Sequence, residues 1–271
     1  MPELPEVETT RRGIAPHLIG QTVRAVHVRQ PQLRWPVPAA LLRELPGHVI
    51  EDVGRRGKYL LLHTAGGTVL VHLGMSGSLR IVPSDTPVGK YDHVDLVLAN
   101  GECLRLRDPR RFGAVLWTRA DIADHKLLAN MGPDALENGF NGDYLFRASR
   151  GRTRAIRDLL IDSHIVAGIG NIYANEALFA ARIHPKRAAG RISRKRYQRL
   201  ARAVRATLKR AIAAGGTTLR DFRNARGEPG YFQLHAQVYA REGAPCLRCA
   251  RPIRAAALGG RRVFYCNYCQ L

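Results

Sequence analysis

Residues 246–269 read CLRCARPIRAAALGGRRVFYCNYC and contain two Cys-x2-Cys pairs. The pairs are Cys246 with Cys249 and Cys266 with Cys269, separated by residues 250–265. Two thiolates in one tight turn can bind the same ion, and the separation suits a hairpin between two such turns. The spacing predicts a ribbon folded around one structural Zn²⁺ ion, with no coordination position left open for catalysis.

Two disulfide bonds are the alternative for these cysteines. Charged residues begin at Glu3, so no secretory apolar stretch follows Met1, and nothing approaches the roughly 20 apolar residues of a membrane span. We therefore expect a cytoplasmic protein with no membrane partner, in which the cysteines remain reduced. The fifth cysteine, Cys103, lies in an alternating strand pattern and is interpreted as a packing residue.

The charge of the 271-residue chain is concentrated in its second half. Residues 1–130 carry 17 basic and 13 acidic side chains, whereas residues 131–271 carry 26 and 9. A field this positive favours a polyanionic partner, most often nucleic acid. A solvated, arginine-rich face is the alternative, and an acidic membrane surface is a weaker one because no apolar-faced anchor helix stands out.

The spacing of apolar residues changes along the chain, from a strand-like pattern in the first half to a helical one in the second. Short β-branched and leucine-rich runs predict strands, and their regular spacing indicates a sandwich or barrel. The predicted strands are 22–28, 49–53, 58–63, 68–73, 79–82, 93–99, 102–107 and 114–118. A helix with Pro5 in its first turn precedes them, and Pro16 should end or kink it. Later helices are predicted over 154–163, 172–181 and 194–214, the last with Ser193 as its N-cap.

The N-terminus offers a nucleophile. Removal of Met1 would leave Pro2 with a terminal amine, whose pKa of about 8 gives far more free base at neutral pH than a lysine has. Such an amine can form a Schiff base with a sugar aldehyde carbon, and Glu3 beside it can move protons. These residues by themselves are better explained as the start of a helix.

Further motifs accompany this N-terminus. In chain order they are MPELPEVETTRRG (1–13), RGKY (56–59), HLGMSGS (72–78), DHVD (92–95), DPRRFG (108–113), GIGNIY (168–173), GGTT (215–218), PGYF (229–232) and the cysteine ribbon. The ordered set resembles the bacterial formamidopyrimidine-DNA glycosylase family from Pro2 to Cys269.

The resemblance implies an α+β fold. An N-terminal β-sandwich with an N-terminal helix would precede a C-terminal helical domain containing a helix–two-turn–helix element and a zinc-ribbon hairpin. The expected domains are 1–131, 132–236 and 237–271.

The resemblance also implies catalytic roles. Pro2 would attack C1′ of the damaged nucleotide, with Glu3 as the general acid/base. Lys58 would transfer protons at the cleaved sugar, and Arg262 would bind phosphate and assist δ-elimination. Without the resemblance, Lys58 reads as a solvated strand-end lysine and Arg262 as one of several basic residues in a basic hairpin.

An enzyme that acts on a base must take it out of the stack and fill the gap. Met75, Phe112 and Arg110 resemble the filling residues of the family. The alternatives are core packing for Met75 and Phe112 and an ion pair with Asp108 for Arg110.

Other positions resemble DNA contacts of the family. These are His93, Arg152 and Asn171. A lysine is expected at the position of Arg152. Asn171 would be the N-cap of a helix and would also contact the DNA backbone. The segment Gly215–Tyr231 resembles the loop that covers an everted oxidised purine.

The implied activity is a bifunctional DNA glycosylase and AP lyase of base excision repair. Acting as a monomer, it would excise 8-oxoguanine and formamidopyrimidines from double-stranded DNA and cleave the strand by β,δ-elimination. One alternative is an endonuclease VIII-type glycosylase for oxidised pyrimidines. Another is a non-catalytic zinc-ribbon DNA-binding protein, which would not need Pro2, Glu3 and Lys58.

Overall fold

The computed structural model describes residues 1–216 and 236–271. The chain divides into two compact units. The N-terminal unit contains Met1–Ala129 and residues 214–216, and the C-terminal unit contains Asn130–Ala213 and residues 236–271. The prediction of three domains remains a prediction.

Two antiparallel four-stranded sheets form the N-terminal unit. The helices are α1 (Leu4–Leu18) and α2 (Ala39–Glu44). The strands are β1 (Val23–Val28), β2 (Asp52–Arg56), β3 (Tyr59–Thr64), β4 (Gly67–His72), β5 (Ser78–Pro83), β6 (Asp92–Leu98), β7 (Glu102–Arg107) and β8 (Ala114–Thr118). One sheet has the order β1-β6-β7-β5 and the other β2-β3-β4-β8, and apolar side chains from both sheets and from α1 share one core. The predicted β-sandwich is confirmed.

One local prediction for this unit is wrong, and the end of another element is displaced by two residues. The first helix extends to Leu18, two residues past Pro16, because the Ile19 N–H can still donate to the carbonyl of Ala15. The strand predicted over 49–53 lies at Asp52–Arg56 instead, because its pairing starts at a tight turn with β3. The apolar Val49 forms an isolated bridge with Thr22.

Four helices and a hairpin form the C-terminal unit. They are α3 (Gly142–Ser149), α4 (Ile156–Ile161), α5 (Asn171–Ala180), α6 (Arg194–Ala213) and the strands β9 (Arg254–Leu258) and β10 (Arg261–Tyr265). The Arg196 N–H donates to Ser193 Oγ over 3.4 Å, as the predicted N-cap requires. Helix α5 is buried over most of its surface and contacts α4, α6 and β10. Helices α2 and α3 were not predicted from the sequence.

Buried polar groups fasten the C-terminal segment to α5. The carboxylate of Glu176 accepts hydrogen bonds from the backbone N–H groups of Gln237, Val238 and Tyr239. Burial raises the pKa of Glu176, and these three donors act in the opposite direction. The amide of Asn175 likewise accepts from the Phe264 N–H over 2.8 Å, which holds β10 against the helix.

Candidate active site and nucleic-acid interface

The chain begins in a closely held position. Pro2 and Glu3 are buried, and α1 starts directly after them at Leu4. The Glu3 N–H donates to Glu6 Oε2 over 2.8 Å, which satisfies one of the unpaired donors at the helix start. The terminal amine is therefore attached to a rigid helix rather than to a free tail.

The surroundings of this amine favour its free-base form. Burial lowers the pKa of the Met1 amino group, Glu3 and Glu6 raise it, and the cations Lys58 and Arg110 lower it further, with a net lowering. The lowered pKa increases the fraction of amine that is unprotonated near neutral pH. Three predicted site residues, Glu3, Lys58 and Arg110, thus act on the same amine.

Lys58 is placed by a tight hairpin. Arg56 at the end of β2 pairs with Tyr59 at the start of β3, so only Gly57 and Lys58 form the turn. Gly57 has φ +57°, the left-handed conformation that glycine supplies at the first central position of such turns. Lys58 is therefore a turn residue with a defined position, not the end of a strand.

His72, for which no role was predicted, organises the adjacent loop. Its Nδ1 accepts a hydrogen bond from the Gly74 N–H over 3.0 Å, and its ring lies 4.8 Å from that of Tyr59. Burial, together with Arg34 and Lys58, lowers the pKa of His72 to about 4. The imidazole is thus neutral at pH 7, as an Nδ1 acceptor must be.

Two exposed apolar side chains project from neighbouring loops. Met75 follows β4 and is 38% exposed, and Phe112 precedes β8 and is 47% exposed. The exposed Arg110 guanidinium lies 5.0 Å from the centre of the Phe112 ring. Core packing therefore does not account for Met75 or Phe112, and their exposure suits residues that enter a gap in stacked bases.

The carboxylate of Asp108 joins the two loops. It is fully buried, and it accepts hydrogen bonds from Ser76 Oγ and from the Gly113 N–H, each over 2.7 Å. Asp108 Oδ1 also lies 3.4 Å from the Arg110 backbone N. Asp108 thus holds Arg110 through its backbone, and the Arg110 guanidinium is left for the Phe112 ring.

The loops also meet at Gly74. This residue has φ +61°, and a Cβ atom here would lie 2.3 Å from the carbonyl carbon of Phe112. Only glycine fits without moving the second loop.

His93 lies beneath these loops. It is buried in β6, and its Nε2 is 2.9 Å from the backbone oxygen of Asp108. The structure therefore shows a supporting contact for His93, and its predicted contact with DNA stays a prediction.

Asn171 and Arg262 are brought together in the C-terminal unit. Asn171 Nδ2 donates to the Arg262 carbonyl over 2.9 Å. The N-cap of α5 is Gly170, so the prediction that Asn171 is the N-cap is wrong by one residue. Its side chain contacts the hairpin instead of capping the helix. The Arg262 side chain is 62% exposed and forms an ion pair with Glu242.

Arg152 follows α3 on an exposed turn. Its Nε donates to the Ala148 carbonyl over 2.7 Å, at the end of the helix that precedes it. No hydrogen bond joins it to Asn171 or Arg262 in the described ranges.

The four predicted metal ligands form a cluster. Their Sγ atoms all lie within 4.8 Å of one another, with Cys246 and Cys269 separated by 3.9 Å and Cys249 and Cys266 by 3.5 Å. A tetrahedral ion with ligand bonds of about 2.3 Å places its sulfurs about 3.8 Å apart. The cluster can bind one metal ion. Cys103, in contrast, is buried in β7, and burial raises the pKa of its thiol to about 12.

A turn of two glycines closes the ribbon hairpin. Leu258 pairs with Arg261, and Gly259 and Gly260 between them have φ values of +51° and +70°. Positive φ at both central positions matches the twist of the flanking strands. Arg262 is therefore the second residue after the turn.

Comparisons with known proteins cover both units. The formamidopyrimidine-DNA glycosylase N-terminal domain matches residues 1–115, and the formamidopyrimidine-DNA glycosylase H2TH domain matches residues 131–223. The chain belongs to the formamidopyrimidine-DNA glycosylase family. Formamidopyrimidine-DNA glycosylase of Syntrophotalea carbinolica is 58% identical over 270 residues, and that of Nitrosococcus oceani is 55% identical, with both chains covered completely in each case.

Solved structures of formamidopyrimidine-DNA glycosylases share the fold. The MutM (Fpg) protein of Thermus thermophilus has a TM-score of 0.89 at 39% identity, covering 99% of this chain and 98% of that one. The Lactococcus lactis Fpg, in a complex with DNA that contains an abasic site, has a TM-score of 0.91 at 32% identity, with 99% of each chain covered.

The covering loop predicted from the resemblance lies largely outside the described residues. Residues 217–235 lie outside the described residues, so the predicted covering loop, apart from its glycines 215 and 216, is not described. No helix in the described parts of this glycosylase-family chain is long and apolar enough to cross a membrane.

Proposed function

We propose that this chain is a DNA glycosylase and AP lyase of base excision repair that removes oxidised purines, including 8-oxoguanine and formamidopyrimidines. The observation that carries the proposal is the position of Pro2 and Glu3, which are buried directly before α1 at a place where Lys58 and Arg110 act on the amino group of the preceding Met1. A protein that only binds DNA has no use for such an amine. The DNA complexes of the related Lactococcus lactis enzyme support the same class of partner.

The reaction starts once Met1 is removed. The Pro2 nitrogen is then a secondary amine, whereas with Met1 in place it is an amide without a nucleophilic lone pair. Its attack on C1′ forms a C–N bond as the bond to the damaged base breaks, and the base leaves with a proton. Ring opening then gives an iminium ion, the Schiff base.

Strand cleavage follows from the iminium ion. Loss of a C2′ proton expels the 3′ phosphate, and a second elimination expels the 5′ phosphate. Glu3 is the acid/base at the amine, and Lys58 moves protons at the sugar. Arg262, exposed next to the hairpin turn, binds phosphate and assists the second elimination.

We assign DNA contacts to both units on the same basis. Met75, Phe112 and Arg110 would fill the gap left by the everted nucleotide, and Arg110 can hydrogen-bond the orphaned partner base. His93, Arg152 and Asn171 would bind the backbone near the lesion, with Asn171 at the start of α5. Double-stranded DNA with an oxidised purine is the proposed substrate.

The ion in the cysteine cluster is proposed to be a single structural Zn²⁺. Four thiolates at tetrahedral spacing are the ligand set that zinc prefers, and all four positions are filled. Zinc holds the ribbon that carries Arg262 and takes no part in catalysis. We further propose domains at 1–131, 132–236 and 237–271, and a monomeric cytoplasmic enzyme.

Borohydride trapping on abasic-site DNA tests the proposal. The reduced adduct should map by mass spectrometry to Pro2 in protein that has lost Met1. Glu3→Gln should bind the same DNA with similar affinity and form little adduct, because the amide is nearly isosteric but transfers no proton. An adduct on Lys58, or binding without any adduct, would contradict the proposed mechanism.

A further inference from the structure

A second positively charged site lies beyond the C-terminal end of α5. A cavity of about 470 Å³ opens there, and its lining includes four arginines and no acidic residue. The arginines are Arg182, Arg196, Arg199 and Arg248. Arginines are usually paired with carboxylates when they crowd together, so this concentration of charge needs an explanation.

The arginines fall into two pairs by their contacts. Arg196 and Arg248 donate to the carbonyls of Arg182 and Phe179, over 3.0 Å in each case, near the end of α5. They stabilise the last carbonyls of the helix. Arg182 and Arg199 are exposed, and no acidic side chain pairs with either of them in the described parts of the chain. The second pair is thus available to a ligand.

The cations are crowded, and Arg196 also donates to the Leu271 oxygen over 2.5 Å. Burial lowers the pKa of Arg196, and the charges of Arg187 and Arg199 lower it further. Its Nε is buried and has no hydrogen-bond partner among the described residues. Cys249 and Cys269 also line the cavity, and metal-bound thiolates would supply some negative charge. Glu242 is the only acidic residue in 236–271, and it is paired with Arg262.

The apolar part of the lining indicates the kind of partner. Tyr268 is 60% exposed and Leu271 is 71% exposed, and both border the cavity beside the arginines. A DNA backbone presents phosphates but no projecting apolar side chain that would pack on Tyr268 and Leu271. An acidic peptide with an apolar side chain matches both features, since carboxylates form two-pronged hydrogen bonds with arginine.

Its place in the unit separates this cavity from the proposed DNA contacts. Asn171 and Arg262 meet at the N-terminal end of α5, and Arg182 follows its C-terminal end. A ten-residue helix is about 15 Å long. The cavity therefore lies one helix length, about 15 Å, from the end of α5 that is proposed to bind DNA.

We propose that this cavity is a docking site for an acidic peptide segment of a partner protein. Carboxylates bind Arg182 and Arg199, and an apolar side chain of the segment packs on Tyr268 and Leu271. The inference goes beyond the proposed glycosylase activity and does not depend on it.

Fluorescence anisotropy tests the proposal with a labelled probe peptide of four aspartates followed by phenylalanine. The pocket variant combines Arg182→Asn and Arg199→Gln; asparagine is chosen because Arg182 has φ +56°, which asparagine tolerates. The control variant combines Arg202→Gln and Lys209→Gln, which removes the same charge from exposed positions of α6 outside the cavity. Both variants should keep the wild-type circular dichroism spectrum.

We expect the pocket variant to weaken peptide binding at least tenfold and the control variant less than twofold. Replacing the phenylalanine of the probe by serine should also weaken binding. Affinity for abasic-site DNA should be equal in the two variants, and the peptide should bind the preformed enzyme–DNA complex. Equal losses of peptide binding in the two variants, or no binding to the wild type, would overturn the proposal. Selective loss of DNA affinity in the pocket variant would identify the surface as a nucleic-acid site instead.

Discussion

The paired loops around Asp108 and the cysteine ribbon are both irregular segments that must hold a charged side chain in place, but they are stabilised differently. In the N-terminal unit, one buried carboxylate accepts from Ser76 and from Gly113, so Arg110 and Phe112 are fixed by hydrogen bonds that fold with the sandwich. In the C-terminal unit, four thiolates gather around a metal position, and Arg262 is fixed by the hairpin between them. The first arrangement is formed by hydrogen bonds within the chain, and the second presents a ligand set for a metal ion.

Loss of one thiolate should have the largest effect. Cys249→Ser removes a ligand from a site whose metal binding is worth about 10–16 kcal/mol in zinc-finger peptides, so the ribbon should lose zinc and unfold. We expect loss of stoichiometric zinc by elemental analysis and a large fall in DNA affinity. Both tryptophans, Trp35 and Trp117, belong to the N-terminal unit, so their fluorescence should remain native.

Cys103→Ala is the matched control for that variant, because Cys103 is buried in β7 of the N-terminal unit and is not one of the four clustered thiols. It should keep its zinc. Retention of full zinc and DNA affinity by Cys249→Ser would show that the ribbon does not need its metal.

Replacing a glycine by alanine should destabilise the loop at Gly74 more than the hairpin turn at Gly260. Gly74→Ala adds left-handed strain and places a Cβ 2.3 Å from the Phe112 backbone, which together should cost about 2–5 kcal/mol. Gly260→Ala adds strain only, because no atom lies within 4 Å of its Cβ position, and should cost about 1–2 kcal/mol. Urea unfolding of each variant measures the difference. Equal costs would mean that the two N-terminal loops are not packed against each other as described.

The free energy of unfolding of the N-terminal unit should depend on pH through the buried His72. Unfolded histidine binds its proton near pH 6.5 and folded His72 only near pH 4. Between these pH values the unfolded state holds more protons than the folded state. The contribution of His72 to the free energy of unfolding therefore falls as the pH is lowered, by about 3 kcal/mol in all.

Urea unfolding followed by tryptophan fluorescence at pH 7 and pH 4.5 measures this effect. His72→Asn keeps an acceptor for the Gly74 N–H but does not titrate, so its stability should change less between the two pH values. An identical change in both proteins would exclude His72 as the source.

Asp108→Asn should have a modest effect on stability and a specific effect on the positions of the loops. Its amide can replace only one of the two carboxylate oxygens as an acceptor, which should cost about 1–3 kcal/mol. If Met75, Arg110 and Phe112 fill the DNA gap, excision of 8-oxoguanine should fall more than cleavage of a preformed abasic site. Asp85→Asn, at an exposed position, is the control. Equal losses on both substrates would argue against a positioning role.

The sequence was most informative where function depends on residue type and spacing. Two Cys-x2-Cys pairs lead to a four-sulfur cluster because short turns bring neighbouring thiolates together whatever the rest of the fold does. The regular spacing of short strands indicated a sandwich or barrel, and the family resemblance favoured the sandwich. Strands β7 and β8 have the predicted bounds because turn residues delimit them. Family motifs supplied the remaining candidates, including Pro2.

Other features depended on contacts between distant residues. The strand predicted over 49–53 is displaced because pairing with β3, not local pattern, sets its register. Asn171 lies one residue inside α5 and reaches Arg262, far away in the sequence.

Chain chemistry alone therefore determined the ribbon, the alternating strands, the basic second half and an N-terminal proline able to act as an amine. Only the tertiary structure decided that Met75 and Phe112 are exposed, that Asp108 and His72 hold their loops, and that Pro2 and Glu3 are buried directly before α1. The reason is physical: exposure, pKa and hydrogen-bond partners depend on which distant groups surround an atom, and packing alone brings those groups together.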